Sequence, residues 1–311
     1  MYISEMKPRD RAEGFYLLQS AVEKQTAAGK PFLSAVLADR TGSIDALVWD
    51  YTGPVSPSDA GAVVKIRGTA SEFRGTPQIT IEQIQLATDA DEYDLNDLIP
   101  TAPIDADAAY RKIEQIVSSM TDPDYAAICR EMLDKHGERF RTIPAAKSIH
   151  HSFLNGLLMH TLFMLQTADT LAGLYSAVID RNLLLAGTLL HDFAKMEEFK
   201  TSPLGLVTDY STKGQLLGHL VMGAQEVARA ADRLHTPEEK SVLLQHMILS
   251  HHGEPEFGAA VRPVCAESEL LSFLDMIDSR MEIYRETFQE TPVGEFSKRI
   301  FALDRRVYHH S

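Results

Sequence analysis

The stretch "AGTLLHDFAKMEEF", residues 186–199, ends an apolar run with three ionisable side chains close together. His191 and Asp192 are adjacent, and Lys195 follows Asp192 by about one helical turn. Burying a carboxylate beside an imidazole costs free energy unless a shared partner, usually a metal ion, compensates both groups. We therefore expect the fold to bring further metal ligands to His191 and Asp192.

The composition limits the class of protein. The chain has 311 residues, 44% of them hydrophobic and 24% charged, with a formal net charge of −14. These values are typical of globular proteins, and a chain of this length usually forms two domains. The acidic charge disfavours sequence-independent binding to duplex nucleic acid. No apolar run reaches the roughly 18 residues of a membrane span, and residues 1–11 lack a secretory signal, so we expect a cytoplasmic protein without a membrane partner.

The hydrophobic period changes across residues 87–109, a segment with seven acidic residues and no basic one. Upstream, five short apolar runs are separated by turn residues, which fits a small closed all-β barrel of the OB type. Downstream, apolar residues recur every three or four positions, which predicts helices. We expect a nucleic-acid-binding barrel over residues 1–88, an acidic linker over residues 89–108 and an all-α bundle over residues 109–311.

Histidines and aspartates end or interrupt five of the predicted helices. They are His160, His191, Asp192, His219, His251, His252 and Asp275. One such histidine is usually a core residue, but this many on separate apolar faces predict a metal site. Imidazole and carboxylate ligands without cysteine favour a catalytic ion. The set is large enough for one ion or for two ions about 3.5–4 Å apart, with Asp192 as the bridge. Manganese is our first choice, with iron, nickel, zinc, cobalt and magnesium as alternatives.

Seven motifs extend the pattern over nearly the whole chain. They are "GKPFLSAVLADRTGSIDALVWD", "FRGTPQITIEQI", "GLLMHTL", "LLHDFAKMEEF", "GHLVMG", "ILSHHGEPEFGAAVRP" and "FLDMIDSRM". Their order and spacing resemble the YhaM family, bacterial 3'-to-5' exoribonucleases that join an OB-fold to an HD domain, the helical domain of a superfamily of metal-dependent phosphohydrolases. The resemblance implies that Lys195 lies beside the scissile phosphate. It also implies a first metal held by His160, His191, Asp192 and Asp275, and a second completed by His219, His251 and His252.

Two details of these motifs stay open. The usual form of the doublet motif is "HDxGK", and this chain has Ala194 where glycine is common. Alanine has a higher helix propensity than glycine, so we expect the substitution to affect the local backbone geometry rather than the chemistry of the motif. Asp275 and Asp278 share one helix face, and either could be the ligand.

For several residues outside the metal set, the sequence allows two alternative roles. Lys195 stabilises charge on a phosphate oxygen, or it pairs with Glu197 or Glu198. Phe73 and Arg74 lie together in "EFRGTPQ", as in a single-strand groove or a plain hairpin turn. His150 and His151 precede His160 by two to three turns and contact substrate or form a solvated helix start. Tyr51, Trp49 and Lys65 are of the types that stack bases or contact a nucleic-acid backbone. The strand aromatics Trp49 and Phe32 are nevertheless expected to fill the barrel core.

The predicted function is a metal-dependent 3'-to-5' exoribonuclease. It hydrolyses phosphodiester bonds of single-stranded RNA, or also of single-stranded DNA, by means of metal-activated water. One alternative is an HD-type nucleotide or cyclic-nucleotide phosphohydrolase. Another is a non-enzymatic single-strand-binding module with a structural metal. Apolar surface on the helices also leaves a homo-oligomer open.

Overall fold

A computed structural model describes residues 1–26, 28–73, 76–88, 90–99, 101–145, 153–202 and 205–311. Contacts divide the chain into two compact units. The first comprises Met1–Ala102 and Thr201–Thr208, and the second comprises Pro103–Lys200 and Asp209–Ser311. The sequence-based division at residues 88 and 108 stays a prediction.

Five strands form the first unit. They are β1 (Arg11–Gln25), β2 (Pro31–Asp39), β3 (Gly42–Trp49), β4 (Val63–Phe73) and β5 (Thr76–Leu86). The strands close into a barrel in the order β1-β2-β3-β5-β4, because β1 pairs with both β2 and β4. β3 and β5 run parallel, and all other pairs are antiparallel. This closed five-stranded barrel is of the OB type, which confirms the predicted fold of the N-terminal half.

Alternating side chains fill the barrel. In β2, Leu33 and Leu37 point inward and are fully buried, and Ile79 of β5 meets them in the same core. A β-bulge shifts the β4–β5 register between Arg67 and Gly68, with Glu82 of β5 as the extra residue. At the bulge, a Cβ on Gly68 would lie 2.5 Å from the carbonyl oxygen of Thr80, so only glycine fits there. The alternation of inward-facing apolar side chains therefore fixes which face of each strand lines the barrel core.

Helices make up most of the second unit. The short α1 (Leu95–Leu98) still belongs to the first unit. The later helices are α2 (Ala106–Ser118), α3 (Pro123–Thr142), α4 (Gly156–Leu174), α5 (Arg181–Leu190), α6 (Lys195–Glu198), α7 (Thr212–Leu234), α8 (Glu238–Ser250) and α9 (Ala266–Glu290). Between α6 and α7, β6 (Phe199–Thr201) and β7 (Val207–Tyr210) form a two-stranded sheet. In the ranges described, no helix combines the length and apolar character needed to cross a membrane.

Local capping and close packing set the positions of these helices. The side chains of Asp122, Asp180 and Ser211 accept hydrogen bonds from amides in the first turns of α3, α5 and α7. α4 and α5 are mostly buried, and both contact α9. A Cβ on Gly187 would lie 2.4 Å from Met247, so glycine lets α5 approach α8 closely. The start of α4, the middle of α9 and the C-terminal ends of α5 and α8 consequently face one interior region.

Candidate metal centre

Side chains from five helical segments converge in that region. His160 projects from near the start of α4, His191 and Asp192 follow the last turn of α5, and Asp275 projects from α9. The remaining members of the predicted set lie on α7 and just after α8, and are His219, His251 and His252. The structure therefore brings all seven predicted ligands together, although they span more than a hundred positions of the chain.

Asp192 lies at the centre of this cluster, and its two oxygens face different partners. Asp192 Oδ2 lies 3.3 Å from His191 Nε2 and 3.9 Å from His160 Nε2. Asp192 Oδ1 lies 3.4 Å from His219 Nε2 and 3.7 Å from His251 Nε2. A carboxylate with this orientation has the geometry of a bridge between two cation sites.

The donor atoms form two groups, one on each side of Asp192. On the Oδ2 side, His160 Nε2 lies 3.2 Å from His191 Nε2 and 3.5 Å from Asp275 Oδ1. On the Oδ1 side, His219, His251 and His252 each offer a ring nitrogen within 4.8 Å of the others. Each group contains enough imidazole and carboxylate donors for a divalent ion.

The ring nitrogens turned away from Asp192 are held by hydrogen bonds. His191 Nδ1–H donates to the Thr188 carbonyl and His251 Nδ1–H donates to the Ile248 carbonyl, both at 2.8 Å. These two bonds direct each Nε2 at Asp192. Such anchoring of the far nitrogen is how proteins orient metal-binding histidines.

The structure distinguishes Asp275 from Asp278. Asp275 Oδ1 lies on the Nε2 side of His160, where His191 and Asp192 also lie. Asp278 Oδ2 instead accepts a hydrogen bond of 2.7 Å from His160 Nδ1–H, on the opposite edge of the ring. Asp275 therefore lies among the candidate donors, and Asp278 lies behind His160.

Unsatisfied polar atoms indicate where an ion fits. Among the described residues, Asp192 Oδ1, His219 Nε2 and His251 Nε2 are buried and have no hydrogen-bond partner, as does His252 Nδ1. Leaving such atoms buried without a partner costs roughly 1–3 kcal/mol each. A divalent cation would satisfy several of them at once, so the donor set fits a metal.

The electrostatics favour the metal-binding protonation states of Asp192 and His251, whereas for His191 burial lowers the pKa but Asp192 outweighs it, so that the pKa of His191 is raised. Burial alone would raise the pKa of Asp192, but Lys195 and His191 outweigh it and hold the pKa of this carboxyl well below its usual range. Burial, together with the neighbouring His191, lowers the pKa of His251 well below its usual value. The carboxylate is thus ionised and His251 is neutral near pH 7, as metal binding requires.

Lys195 pairs with Asp192 rather than with either predicted glutamate. Its Nζ donates to Asp192 Oδ2 at 2.7 Å, and the alternative pairing with Glu197 or Glu198 is wrong. Burial lowers the pKa of Lys195, but Asp192 more than compensates, so the pKa lies above its usual value. Lys195 therefore brings a permanent positive charge to the cluster.

A pocket of 220 Å³ opens beside the cluster. Lys195, His252 and Ser279 are among its lining residues, together with His160, Asp192, Asp275 and Ala145. The sequence did not single out Ser279, whose hydroxyl donates to the Asp275 carbonyl. The pocket gives a small polar group, such as a phosphate, access to the predicted ligands.

Ala194 fits the motif without strain. Its φ of −70° and ψ of −9° lie in the right-handed helical region, at the start of α6. No left-handed backbone is needed there, so alanine can replace the usual glycine. The backbone geometry at this position does not distinguish the two residues.

A third group of possible donors is already paired. His136, Glu197 and Glu226 lie close enough to hold an ion. Glu226 instead accepts hydrogen bonds from His136 and Lys135, and Glu197 pairs with Lys213 at 2.9 Å. We interpret this group as structural ion pairs.

The predicted nucleic-acid contacts are only partly described. Phe73 ends β4 and is 59% exposed. Arg74, His150 and His151 lie outside the described residues, so their roles stay predictions.

The prediction that Trp49 and Phe32 fill the barrel core is wrong. Trp49 is 50% exposed, and its ring lies 5.0 Å from that of the half-buried Phe32 across the β2–β3 pair. Ile44, Ala46 and Val48 take the inward positions of β3, which turns Trp49 outward. The barrel therefore presents an aromatic pair on its outer β2–β3 face.

A shallow groove of 510 Å³ lies beside Trp49 on the same barrel. Lys65 and Arg67 line it together with Glu13 and Glu82. The cations have acidic partners, since Lys65 pairs with Asp91 at 2.9 Å and Arg67 lies 3.9 Å from Glu13. This groove is consequently close to neutral rather than strongly basic.

Comparison with known proteins gives one family match and several weak structural likenesses. A model of the HD domain family matches residues 157–280. The second OB-fold domain of replication protein A from Methanococcus maripaludis is 19% identical, over 30% of this chain and 98% of that chain, with a TM-score of 0.23. An OB domain from Thermoplasma acidophilum is 13% identical, over 30% of this chain and 90% of that chain, also with a TM-score of 0.23.

These structural likenesses are too weak to bear on function, whereas the family match coincides with the cluster. Residues 157–280 include His160, Asp192 and Asp275 and so enclose the convergent donor set. An OB-type barrel thus precedes an HD domain, and the HD domain is the domain of a family of metal-dependent phosphohydrolases.

Proposed function

We propose that this protein is a metal-dependent phosphodiesterase that removes nucleotides from the 3' end of single-stranded RNA. The observation that carries the hydrolytic part is the position of Asp192, whose two oxygens face two separate sets of buried histidine nitrogens. The choice of RNA and the 3'-to-5' polarity rest on the resemblance to the YhaM family.

Two cation sites fit the donors. His160, His191, Asp192 and Asp275 would hold the first ion, and Asp192, His219, His251 and His252 would hold the second. Divalent ions there would supply Lewis acidity toward a phosphate and lower the pKa of water toward about 7. The same ligand chemistry suits manganese, iron, cobalt, nickel, zinc and magnesium to different degrees, with manganese our first choice.

Lys195 would act on the substrate phosphate. Its ammonium group lines the pocket and lies 2.7 Å from Asp192, so a phosphate near Asp192 would come within its reach. A positive charge already in place there stabilises negative charge that develops on non-bridging oxygens in the transition state. Ser279 and His252 border the same pocket and would contact the departing nucleotide.

The barrel would bind the single strand mainly by stacking. The exposed Trp49 and the half-buried Phe32 offer aromatic surface on the β2–β3 face, which is a nucleic-acid-binding face of OB folds. Stacking on aromatic side chains tolerates any base, as an exonuclease needs. Because Lys65 and Arg67 are paired with acidic residues, we expect modest affinity.

The test is a digest of single-stranded RNA that carries a label at its 5' end. The protein is first stripped of metal with a chelator and is then supplied separately with Mn²⁺, Co²⁺, Ni²⁺, Zn²⁺ or Mg²⁺. We expect a ladder of 5'-labelled products that shorten one nucleotide at a time and only in the presence of metal. An Asp192→Asn variant serves as the inactive control.

Other products would contradict the proposal in defined ways. Hydrolysis of mononucleotides or cyclic nucleotides with intact RNA would identify a nucleotide phosphohydrolase instead. Binding of RNA without turnover, together with unfolding of the second unit on chelation, would identify a binding module with a structural metal.

A further inference from the structure

Two of the histidines in the cluster are supported differently from the others. His191 and His251 are anchored by backbone carbonyls, whereas His160 and His219 are each anchored by a carboxylate. A carboxylate behind a metal-binding imidazole orients the ring and raises its basicity, and removing it typically costs 10–100-fold in metal affinity. The two carboxylates are Asp278 and Glu198.

Asp278 supports the donor group on one side of Asp192. Its Oδ2 accepts a hydrogen bond of 2.7 Å from His160 Nδ1–H, and the His160 side chain is almost fully buried. With Nδ1 protonated, His160 Nε2 carries the lone pair and faces His191, Asp192 and Asp275. Asp278 is one helical turn beyond Asp275 on α9, so a single helix supplies both a ligand and the support of another ligand.

Glu198 supports the donor group on the other side. The carboxylate is buried, and its Oε1 accepts hydrogen bonds from the His219 backbone amide at 3.0 Å and from His219 Nδ1–H at 3.2 Å. These two bonds hold both the main chain and the ring, leaving His219 Nε2 directed at Asp192 Oδ1.

The backbone before His219 makes this double bond possible. Gly218 interrupts α7 with a φ of +70°, a conformation that residues with a side chain rarely adopt. The irregular turn directs the His219 amide to the Glu198 carboxylate instead of leaving it in a regular helix. A local departure from helical geometry therefore serves the position of one imidazole.

We propose that Asp278 and Glu198 are positioning residues that support the two cation sites separately. Asp278 supports the site of His160, His191, Asp192 and Asp275 by fixing His160. Glu198 supports the site of Asp192, His219, His251 and His252 by fixing His219. The inference deepens the proposed function, since it rests on the binding of two divalent ions.

The test measures metal binding without any turnover. Asp278→Asn and Glu198→Gln retain the shape of each side chain and remove its charge. Mn²⁺ binding is measured by equilibrium dialysis, and Co²⁺ binding is followed by visible absorption, which reports ligand geometry. We expect wild-type protein to bind two ions and each variant to lose 10–100-fold in affinity at one site while it retains the other.

Neighbouring carboxylates provide matched controls. Glu282 lies one turn after Asp278 on α9 and is buried, but it pairs with Arg285. Glu197 precedes Glu198 and pairs with Lys213. Glu282→Gln and Glu197→Gln should leave both affinities and the Co²⁺ spectrum unchanged. If Asp278→Asn does not fold, Asp278→Ser takes its place.

The outcomes separate this inference from the proposed function. Wild-type protein that binds no Mn²⁺ or Co²⁺ would overturn the proposed function itself. Two ions bound equally well by wild type and by both variants would overturn only the roles of Asp278 and Glu198. Simultaneous loss of both sites in either variant, or a single ion in wild type, would overturn their separate support.

Discussion

Two buried aspartates, one in each unit, show how differently the two halves of the chain use a carboxylate. Asp39 in the barrel is 2% exposed and Asp192 among the helices is 3% exposed. Asp39 accepts hydrogen bonds from the Ile3 amide at 2.6 Å, and from the amide and hydroxyl of Thr41 at 2.7 and 2.6 Å. Asp192 Oδ1, by contrast, has no hydrogen-bond partner.

The difference indicates that Asp39 stabilises the fold, whereas Asp192 is available to bind a ligand. Three donors compensate the burial of Asp39, which ties the N-terminal segment and the β2–β3 turn together. Asp192 accepts one hydrogen bond, from Lys195 at Oδ2, while its Oδ1 faces the Nε2 atoms of His219 and His251 without a hydrogen bond. Proteins tolerate a buried carboxylate oxygen without a hydrogen bond mainly at functional sites, where a ligand can compensate it.

Replacing Asp192 should have the largest effect on turnover. Asp192→Asn removes the charge that both donor groups share, and we expect the rate of RNA cleavage to fall by at least about 10³-fold. Circular dichroism should show that the fold is retained. Cleavage at a rate near that of the wild type would remove Asp192 from the centre of the site.

The equivalent change at Asp39 should affect stability instead. Asp39→Ala leaves three donors without their partner, and we expect the free energy of unfolding of the barrel to fall by about 3 kcal/mol. Trp49 is the single tryptophan of the chain, so its fluorescence reports on the barrel in urea titrations. Mn²⁺ binding should not change. If Asp39→Ala weakened Mn²⁺ binding as Asp192→Asn does, the distinction between the two aspartates would fail.

Lys195 tests whether the charge beside Asp192 acts on the substrate. Lys195→Met retains the apolar stem, and we expect kcat to fall about 10²-fold with little loss of Mn²⁺ affinity. Lys213→Met is a matched control, because Lys213 pairs with Glu197 near the same turn. A kcat unchanged in Lys195→Met would mean that Lys195 serves only to compensate the charge of Asp192.

The convergence of the seven candidate donors could be predicted because each ends or interrupts an apolar helix. The choice between Asp275 and Asp278 could not, since residues three apart share a helix face. The choice depends on which nitrogen of His160 each aspartate meets. The contact between Glu198 and His219 could not be predicted from the sequence either. Only the folded chain shows that Glu198, and not the adjacent Glu197, is buried, and that Gly218 adopts a positive φ.

Trp49 shows that an available signal can be misread. Ile44, Ala46 and Val48 alternate as inward residues of β3, so the parity of the strand places Trp49 outside. The expectation that aromatic residues fill the core rested on residue type and ignored this parity. The prediction of the barrel fold rested on turn residues and hydrophobic alternation over five strands. One misassigned aromatic residue therefore did not change it.

Trp49 should affect substrate affinity rather than chemistry. Trp49→Ala removes a stacking surface worth roughly 1–3 kcal/mol per base, so we expect KM for long single-stranded RNA to rise about 10-fold with kcat little changed. Phe301→Ala, at a highly exposed aromatic in the second unit, is the control. An unchanged KM would place the single strand elsewhere on the barrel.

The smallest effect expected is the pH dependence of an ion pair between α3 and α7. Burial alone would raise the pKa of Glu226, but hydrogen bonds from His136 and Lys135 lower it to about 2. The folded state therefore favours the ionised form. Its contribution is complete above the unfolded pKa near 4.3 and is lost as the pH falls toward about 2.

Glu226→Gln should remove this pH-dependent contribution. We expect the variant to be about 1–2 kcal/mol less stable than wild type at pH 7, and the difference to shrink between pH 5 and 3. Urea unfolding followed by circular dichroism measures both proteins across this range. The exposed Glu239→Gln variant should show no such convergence. A difference that stays constant with pH would show that Glu226 acts through packing, and that its charge, unlike that of Asp192, contributes nothing.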